Sequence, residues 1–355
     1  MVGSVVAVAA LFTSCASTSP DPASSDPSGD VGISLIVKTN SNPYYIAMQD
    51  AAEAAAKEAG VELTLAAGKA EGDEDTQIQA IENAISRGDK GILIAPNGPG
   101  VNDAITKARD AGLYVIALDT APDPTNVVDV TFATDNFAAG KTLGEWAAAE
   151  LDGEPAVIAL LDLYADKVIS VDYNRDQGFL TGMGIDVADP TIIGDEASSG
   201  TYTAGQGGTF TIAGHQASDG AVDTGRTAME TLLSKNSDIN VVYAVNAPAA
   251  AGAYEALKAA GIEDRTLVVA VDGGCDNVAY VKQGTLSALV TQYPDKMAAL
   301  GVEAIVDYVG SGATATTSPG LDFFDTGSAL ITDQPVEGLE SISSDEASTS
   351  CYGTD

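Results

Sequence analysis

The sequence predicts an α/β fold of two lobes, each a doubly wound parallel sheet. From Val31 onward, short apolar runs alternate with longer amphipathic runs, the pattern of parallel strands covered on both faces by helices. The pattern occurs twice, in two series separated by the segment TFATDN at 131–136. A chain of 355 residues with 45% hydrophobic content is long enough for two cores of ordinary domain size.

In the first series the strand-like run VGISLIVKT (31–39) leads to a helix at 42–60, where Asn42 can cap, Pro43 suits the first turn and Gly60 stops the helix. VELTLAAG (61–68), DTQIQAIENAISRG (75–88), KGILIAP (90–96), VNDAITKARDAG (101–112) and LYVIALDT (113–120) continue the alternation. The second series begins with AVIALLDL (156–163) and NRDQGFLTGMG (174–184), followed by a strand-like TIIGDE (191–196). A helical run at 224–236 precedes the strand-like INVVYAVN (239–246), and PAAAGAYEALKAAG (248–261) precedes TLVVAVDG (266–273). NVAYVKQG (277–284), LSALVTQY (286–293) and a helical run at 296–310 complete it. The segment SGTYTAGQGGTFTIAG (199–214) breaks the pattern with five glycines and reads as a long surface loop or hairpin. Beyond Gly310 the chain turns polar, with one apolar run, GSALITD (327–333).

Composition narrows the function. Sixteen basic against 51 acidic residues give a formal charge of −35, which repels nucleic acid and anionic lipid. The acid excess reads first as solubility, and clusters such as GDEDT (72–76) lack the alternating oxygen spacing of a calcium loop. An enzyme reading finds no GxGxxG after a strand, and AAGKT (138–142) lacks the upstream glycine of a phosphate loop. A single histidine, His215, with two cysteines that look paired with each other does not supply a zinc site of ordinary ligand count, so neither metal nor cofactor is expected. Paired carboxylates such as Asp119 and Asp272 beside Arg175 should stay ionised, leaving a glycosidase without its general acid.

The start of the chain, MVGSVVAVAALFTS before Cys15 and then STSPDPASSDPSGD, reads as an export signal with a lipidated cysteine (1–15) and a flexible tether (16–30). That order would hold residues 31–355 on a membrane surface outside the cytoplasm. Two features depart from such a signal: no Lys or Arg precedes Lys38, and Leu11 lies four rather than three residues before Cys15. The apolar run, about 14 residues, is short for a membrane-spanning helix. Outside the cytoplasm, Cys275 and Cys351 can form a disulfide that pins the tail to the body.

In open parallel sheets ligands bind beyond the carboxyl ends of strands. Those ends are polar here: Lys38 to Asn42, Asp119, Thr134 and Asp135, Asp162, Asn246, Asp272 and Gln292. Two such rims facing each other would form a polar cleft suited to a ligand rich in hydroxyls.

The order KTNSNPYY, VIALDT, FATDN, NRDQGF, AVNAPAAAGAYEAL, VDGG and TQYPDKMA resembles the ribose-type sugar-binding proteins that feed ABC importers, over nearly the whole stretch from Val31 to about Gly310. Within that family FATDNFAAGKTLGEWAAAEL, DQGFLTGMGID, GRTAMETLL with INVVYAVN, VDGGCDN, DTGSALITDQPVEGLESI and the terminal CYG look most like the fructose-binding branch. The resemblance implies the type I periplasmic binding protein fold, with lobes of 31–134 plus 293–320 and 135–292 plus 321–355. The lobes would be joined by crossings near Thr134, near Gln292 and after about Gly310.

The same resemblance implies a monosaccharide ligand, fructose first, and ABC permease subunits as partners. Other pentoses, hexoses, polyols and inositol remain alternatives, as does a sensor coupled to a chemoreceptor. A sugar-responsive transcription regulator would need a DNA-binding domain before the lobes. By resemblance Asn42 hydrogen-bonds the sugar, Tyr44 and Tyr45 stack on it, and Asp119, Thr134 and Lys38 complete the first lobe's contacts. Arg175, Asn246, Asp272 and Gln292 grip its hydroxyls from the other side. Ala247 departs from the pattern, since relatives have an acidic residue shortly after the Asn of AVN. Gly220 falls where ribose binders place an aromatic, leaving His215 or Tyr173 to supply that wall, although His215 reads first as a polar loop residue bonded to backbone. Trp146 reads as a packing residue.

Overall fold

The computed structural model describes residues 1–3 and 31–353, so Cys15, most of the expected signal and the tether lie outside the described residues. The first βα series contains β1 (Gly32–Val37), α1 (Pro43–Ala59), β2 (Glu62–Ala67), α2 (Glu74–Arg87), β3 (Gly91–Ile94), α3 (Asn102–Asp110), β4 (Tyr114–Leu118) and β5 (Val130–Ala133). Local chemistry sets the boundaries. Asn42 Oδ1 accepts from the Tyr44 amide at 3.0 Å, and Gly60 ends α1 in the left-handed region at φ 70°. β3, β4 and β5 are buried along their whole length, which is why they read as continuous apolar runs.

The second series contains α4 (Asn136–Glu150), β6 (Ala156–Asp162), α5 (Ser170–Met183), β7 (Ser199–Tyr202), β8 (Gly208–Ala217), α6 (Val222–Lys235), β9 (Val241–Ala244), α7 (Ala247–Ala260), β10 (Leu267–Asp272), α8 (Cys275–Lys282) and β11 (Ala288–Thr291). The chain then adds α9 (Pro294–Ser311), β12 (Phe324–Asp325), β13 (Ala329–Ile331) and α10 (Ser344–Ala347). The strands form two sheets, ordered β12-β5-β4-β3-β1-β2 and β13-β11-β10-β9-β6-β8-β7. All pairings are parallel except β7 with β8 and β11 with β13 at the edges of the second sheet. Met297, Val302 and Ile305 of α9 return to the first lobe's core, while Trp146 of α4 is fully buried in the second, its Nε1 donating to the Gln334 carbonyl at 2.9 Å.

Two sequence-based expectations shift. TIIGDE (191–196) forms no strand, and the glycine-rich run after it supplies the β7–β8 hairpin, whose long strand pairs with β6. The alternating TFTI within β8 carries the strand signal that the glycines obscure. The second shift concerns the lobe boundary. β12 pairs with β5, so the first lobe reaches Asp325 and the third crossing follows there rather than after about Gly310. A strand of two residues is too short to show periodicity.

Glycines position α5. A Cβ at Gly140 of α4 would collide with the carbonyl oxygen of Arg175 on α5, and one at Gly144 with that of Phe179. The two helices therefore meet backbone to backbone, which fixes where Arg175 points.

Candidate ligand-binding cleft

Strand order reverses between β1 and β3 in the first sheet and between β6 and β9 in the second, the places where open α/β sheets bind ligands. Residues following strands at both reversals line a single cleft between the lobes. Lys38, Asn42, Tyr44, Tyr45 and Asp119 come from the first lobe. Arg175, Asn246 and Asp272 come from the second, and Gln292 from the crossing after β11. Thr134 does not join them: it is buried at the first crossing, and its hydroxyl has no hydrogen-bond partner among the described residues.

The charged side chains are held from several sides. Arg175 donates to Asn136 Oδ1 at 2.7 Å, to the Val245 carbonyl at 2.8 Å and to Gln292 Oε1 at 3.0 Å, so its fork is preorganised. Asp272 Oδ2 accepts from the Ala247 amide at 3.2 Å, and Oδ1 from Gln292 Nε2 at 3.3 Å. Asn246 caps α7 by accepting from Ala249 N at 3.0 Å and donates to the Gly220 carbonyl at 3.0 Å. Tyr44 and Tyr45 stand edge to face with centroids 5.1 Å apart, and the Tyr45 hydroxyl donates to Asp119 Oδ2 at 3.4 Å.

The two cleft aspartates differ in electrostatics and share backbone strain. Burial pulls the Asp119 carboxyl upward, but Lys38 and Arg175 outweigh it and hold the group below its usual range. At Asp272 burial wins over Arg175 and pushes the carboxyl up to about 7. Asp119 has φ 66° and Asp272 φ 151°, conformations that cost on the order of 1–3 kcal/mol each and concentrate at binding sites.

Sequence reasoning missed Glu71, which precedes α2 and lines the cleft. Burial raises its carboxyl against the pull of Lys38, and Tyr164 donates to it at 3.4 Å. In a chain this acidic nothing marks one glutamate of KAEGDED as different. Asn136, which orients Arg175, was likewise visible only as part of FATDN.

The missing aromatic wall is not supplied by His215 or Tyr173. Leu163, Val171 and Val245 occupy that side of the cleft. A Cβ at Gly220 would stand 2.8 Å from Asn246 Nδ2 and 2.9 Å from Leu163 Cδ1, leaving no room for a ring there. His215 is a strand residue of β8 and bonds carboxylates rather than backbone: Nδ1 lies 3.1 Å from Asp162 Oδ2, and Nε2 lies 2.9 Å from Glu196 Oε1. Asp162, a strand-end residue, faces His215 instead of the cleft.

A match to the periplasmic binding protein domain family spans residues 33–313. This chain belongs to that family. The binding protein is 30% identical over 281 residues to the ribose import binding protein of Salmonella typhimurium, covering 79% of this chain and 85% of the relative. It is 26% identical over 305 residues to the D-allose-binding periplasmic protein of Escherichia coli, covering 84% and 91%. Among solved structures it is similar to an ABC transporter solute-binding protein from Agrobacterium vitis with bound D-fucose. That match is 26% identical, with a TM-score of 0.72, and covers 90% of this chain and all of that one. The two lobes have the type I periplasmic binding protein fold. The chain is a binding protein rather than an enzyme, and its family works outside the cytoplasm.

Proposed function

We propose that this binding protein captures one monosaccharide between its lobes and delivers it to the permease of an ABC importer, with fructose the leading ligand. The observation that carries the reading is the convergence of Asp119 from one lobe with Arg175 and Asp272 from the other, beside the Tyr44 ring pair. Fixed donors and acceptors on both walls suit vicinal hydroxyls, and the tyrosines offer apolar faces to a sugar ring. A ligand touching both rims stabilises the closed state, which the permease would recognise. Fructose leads through the resemblance of the motifs at 132–151, 176–186 and 325–342. The names of the relatives keep ribose and allose close behind. Lipidation of Cys15 would keep the protein at the membrane beside its permease.

Calorimetric titration with fructose, ribose, allose, glucose, galactose, xylose and myo-inositol tests this. Tight one-to-one heat with fructose supports the full reading, and heat with another member of the panel replaces fructose by that sugar. Silence across the panel, in folded protein freed of carried-over ligand, overturns monosaccharide capture.

A further inference from the structure

Behind the cleft the second lobe gathers a group of side chains that sugar capture does not use. Asp162 ends β6, His215 lies on the neighbouring β8, and Asp176 projects from α5 one residue beyond Arg175. One ligand atom from each of the three lies within 4.8 Å of the others. Asp162 Oδ2 is 3.1 Å and Asp176 Oδ2 3.8 Å from His215 Nδ1. Asp176 is completely buried, yet its Oδ2 has no hydrogen-bond partner among the described residues. A buried carboxylate oxygen without a donor is costly unless a proton or a cation meets it, and a metal ion can take the place of the proton.

The other side of the imidazole is arranged equally specifically. Nε2 faces Glu196 Oε1 at 2.9 Å, and the Glu196 side chain is itself only 3% exposed. A histidine that binds a metal through one nitrogen characteristically donates its other N–H to a carboxylate, which fixes ring orientation and tautomer. Here Glu196 would hold the proton on Nε2, leaving Nδ1 to point at the two aspartates. Asp162 and His215 also line a cavity of about 670 Å³ beside this group, which supplies an entry path and room for water.

We propose that Asp162, Asp176 and His215 bind one divalent transition-metal ion, with Zn²⁺ the best fit and Glu196 orienting the histidine. One imidazole with two carboxylates is a donor set for ions of the zinc type, and three protein ligands plus solvent complete four-coordination. Without the ion, a proton on Nδ1 and one on the Asp176 carboxyl, which burial and the neighbouring Asp162 hold towards its neutral form, offset the charge of the group. Ion entry forms the Nδ1–metal and carboxylate–metal bonds and expels those protons to solvent. The sequence-based expectation of no metal site rested on counting His and Cys alone, and the carboxylates were indistinguishable among 51 acids.

The test is independent of the sugar reading, because it involves no sugar. Untagged protein stripped with chelator is titrated with Zn²⁺ at pH 8, following heat and proton release. His215 is the chain's only histidine, so its imidazole NMR resonances report on the site without any substitution. The expected result is saturable one-to-one binding with proton release and a shift of those resonances. Asp176→Asn and His215→Gln, each checked for native circular dichroism, should weaken Zn²⁺ by about tenfold or more. Unmoved resonances, with or without heat, would identify an adventitious ion only and overturn the proposal, as would full affinity in both variants.

Discussion

Lys38 Nζ lies 3.3 Å from Asp119 Oδ2, with the two side chains only 2% and 5% exposed. The pair sits at the ends of β1 and β4, and Asp119 also receives hydrogen bonds from Tyr45 at 3.4 Å and Thr120 at 2.8 Å. Lys38 thus neutralises a carboxylate that a ligand could use, at a point where water cannot.

Removing the cation should be expensive. Lys38→Met is expected to destabilise the protein by about 3–5 kcal/mol, since it leaves a buried carboxylate uncompensated. Urea denaturation reads this directly, and a loss below about 1 kcal/mol would show that the pair is more solvated than its burial implies. Adding Asp119→Asn should recover part of the loss.

Arg175 and Asp272 form the second lobe's charged grip, and neither belongs to a hydrophobic core. Arg175→Ala or Asp272→Ala should leave circular dichroism native while weakening sugar binding about a thousandfold, equivalent to about 4 kcal/mol of unpaired buried polar groups. Arg175→Lys should fall between, because an ammonium cannot reproduce three fixed donors. Unchanged affinity in both alanine variants would remove these residues from the ligand site.

The Asp272 carboxyl, pushed up to about 7 by burial, links pH to both stability and affinity. An ordinary aspartate titrates near about 3.9, so this group favours folding in its protonated form. Its contribution is full below about pH 4 and is lost as pH rises towards 7. Hydroxyls donating to the ionised carboxylate reverse the preference in the complex. Affinity should therefore fall as pH drops below 7, and binding at neutral pH should release protons. Calorimetry in buffers of different ionisation enthalpy measures that release, and none at pH 7 would mean that Asp272 is already ionised in the free protein.

Cys275 and Cys351 are joined with Cα atoms 4.9 Å apart across 76 residues of chain. The tail they anchor places Tyr352 edge-on to Tyr44 at 5.8 Å, and the Cys275 amide donates to the Tyr352 carbonyl at 2.9 Å. Closing a loop of that length is worth at most about 4.5 kcal/mol in the chain-entropy view. The double variant Cys275→Ser, Cys351→Ser should lose about 2–4 kcal/mol in chemical denaturation. Its sugar affinity should also fall, because Tyr44 loses a packing partner.

Much of the cleft was legible because its residues occupy strand ends, which an alternating pattern of apolar runs locates in sequence. Asn42, Asp119, Asn246, Asp272 and Gln292 all follow such runs. Thr134 does as well, yet it is buried without lining the cleft, since a strand end fixes a position and not a side-chain direction. Glu71 and Asn136 escaped because they owe their placement to packing between elements distant in sequence. The β12 strand escaped because pairing with β5, rather than any local pattern, makes Phe324 and Asp325 a strand.

The sequence by itself determined two parallel-sheet lobes, the caps and stops of α1, and the set of polar residues at the strand ends. Periodicity, prolines and glycines are local constraints that act on the chain before any tertiary contact. Tertiary structure alone decided which carboxylates receive a cation. Lys38 compensates Asp119, Arg175 stands beside Asp272 without offsetting its burial, and His215 gathers Asp162, Asp176 and Glu196. The reason is physical: in a chain with 51 acids, charge is everywhere in the sequence, but desolvation and neighbours within a few ångströms exist only after the strands are ordered into sheets.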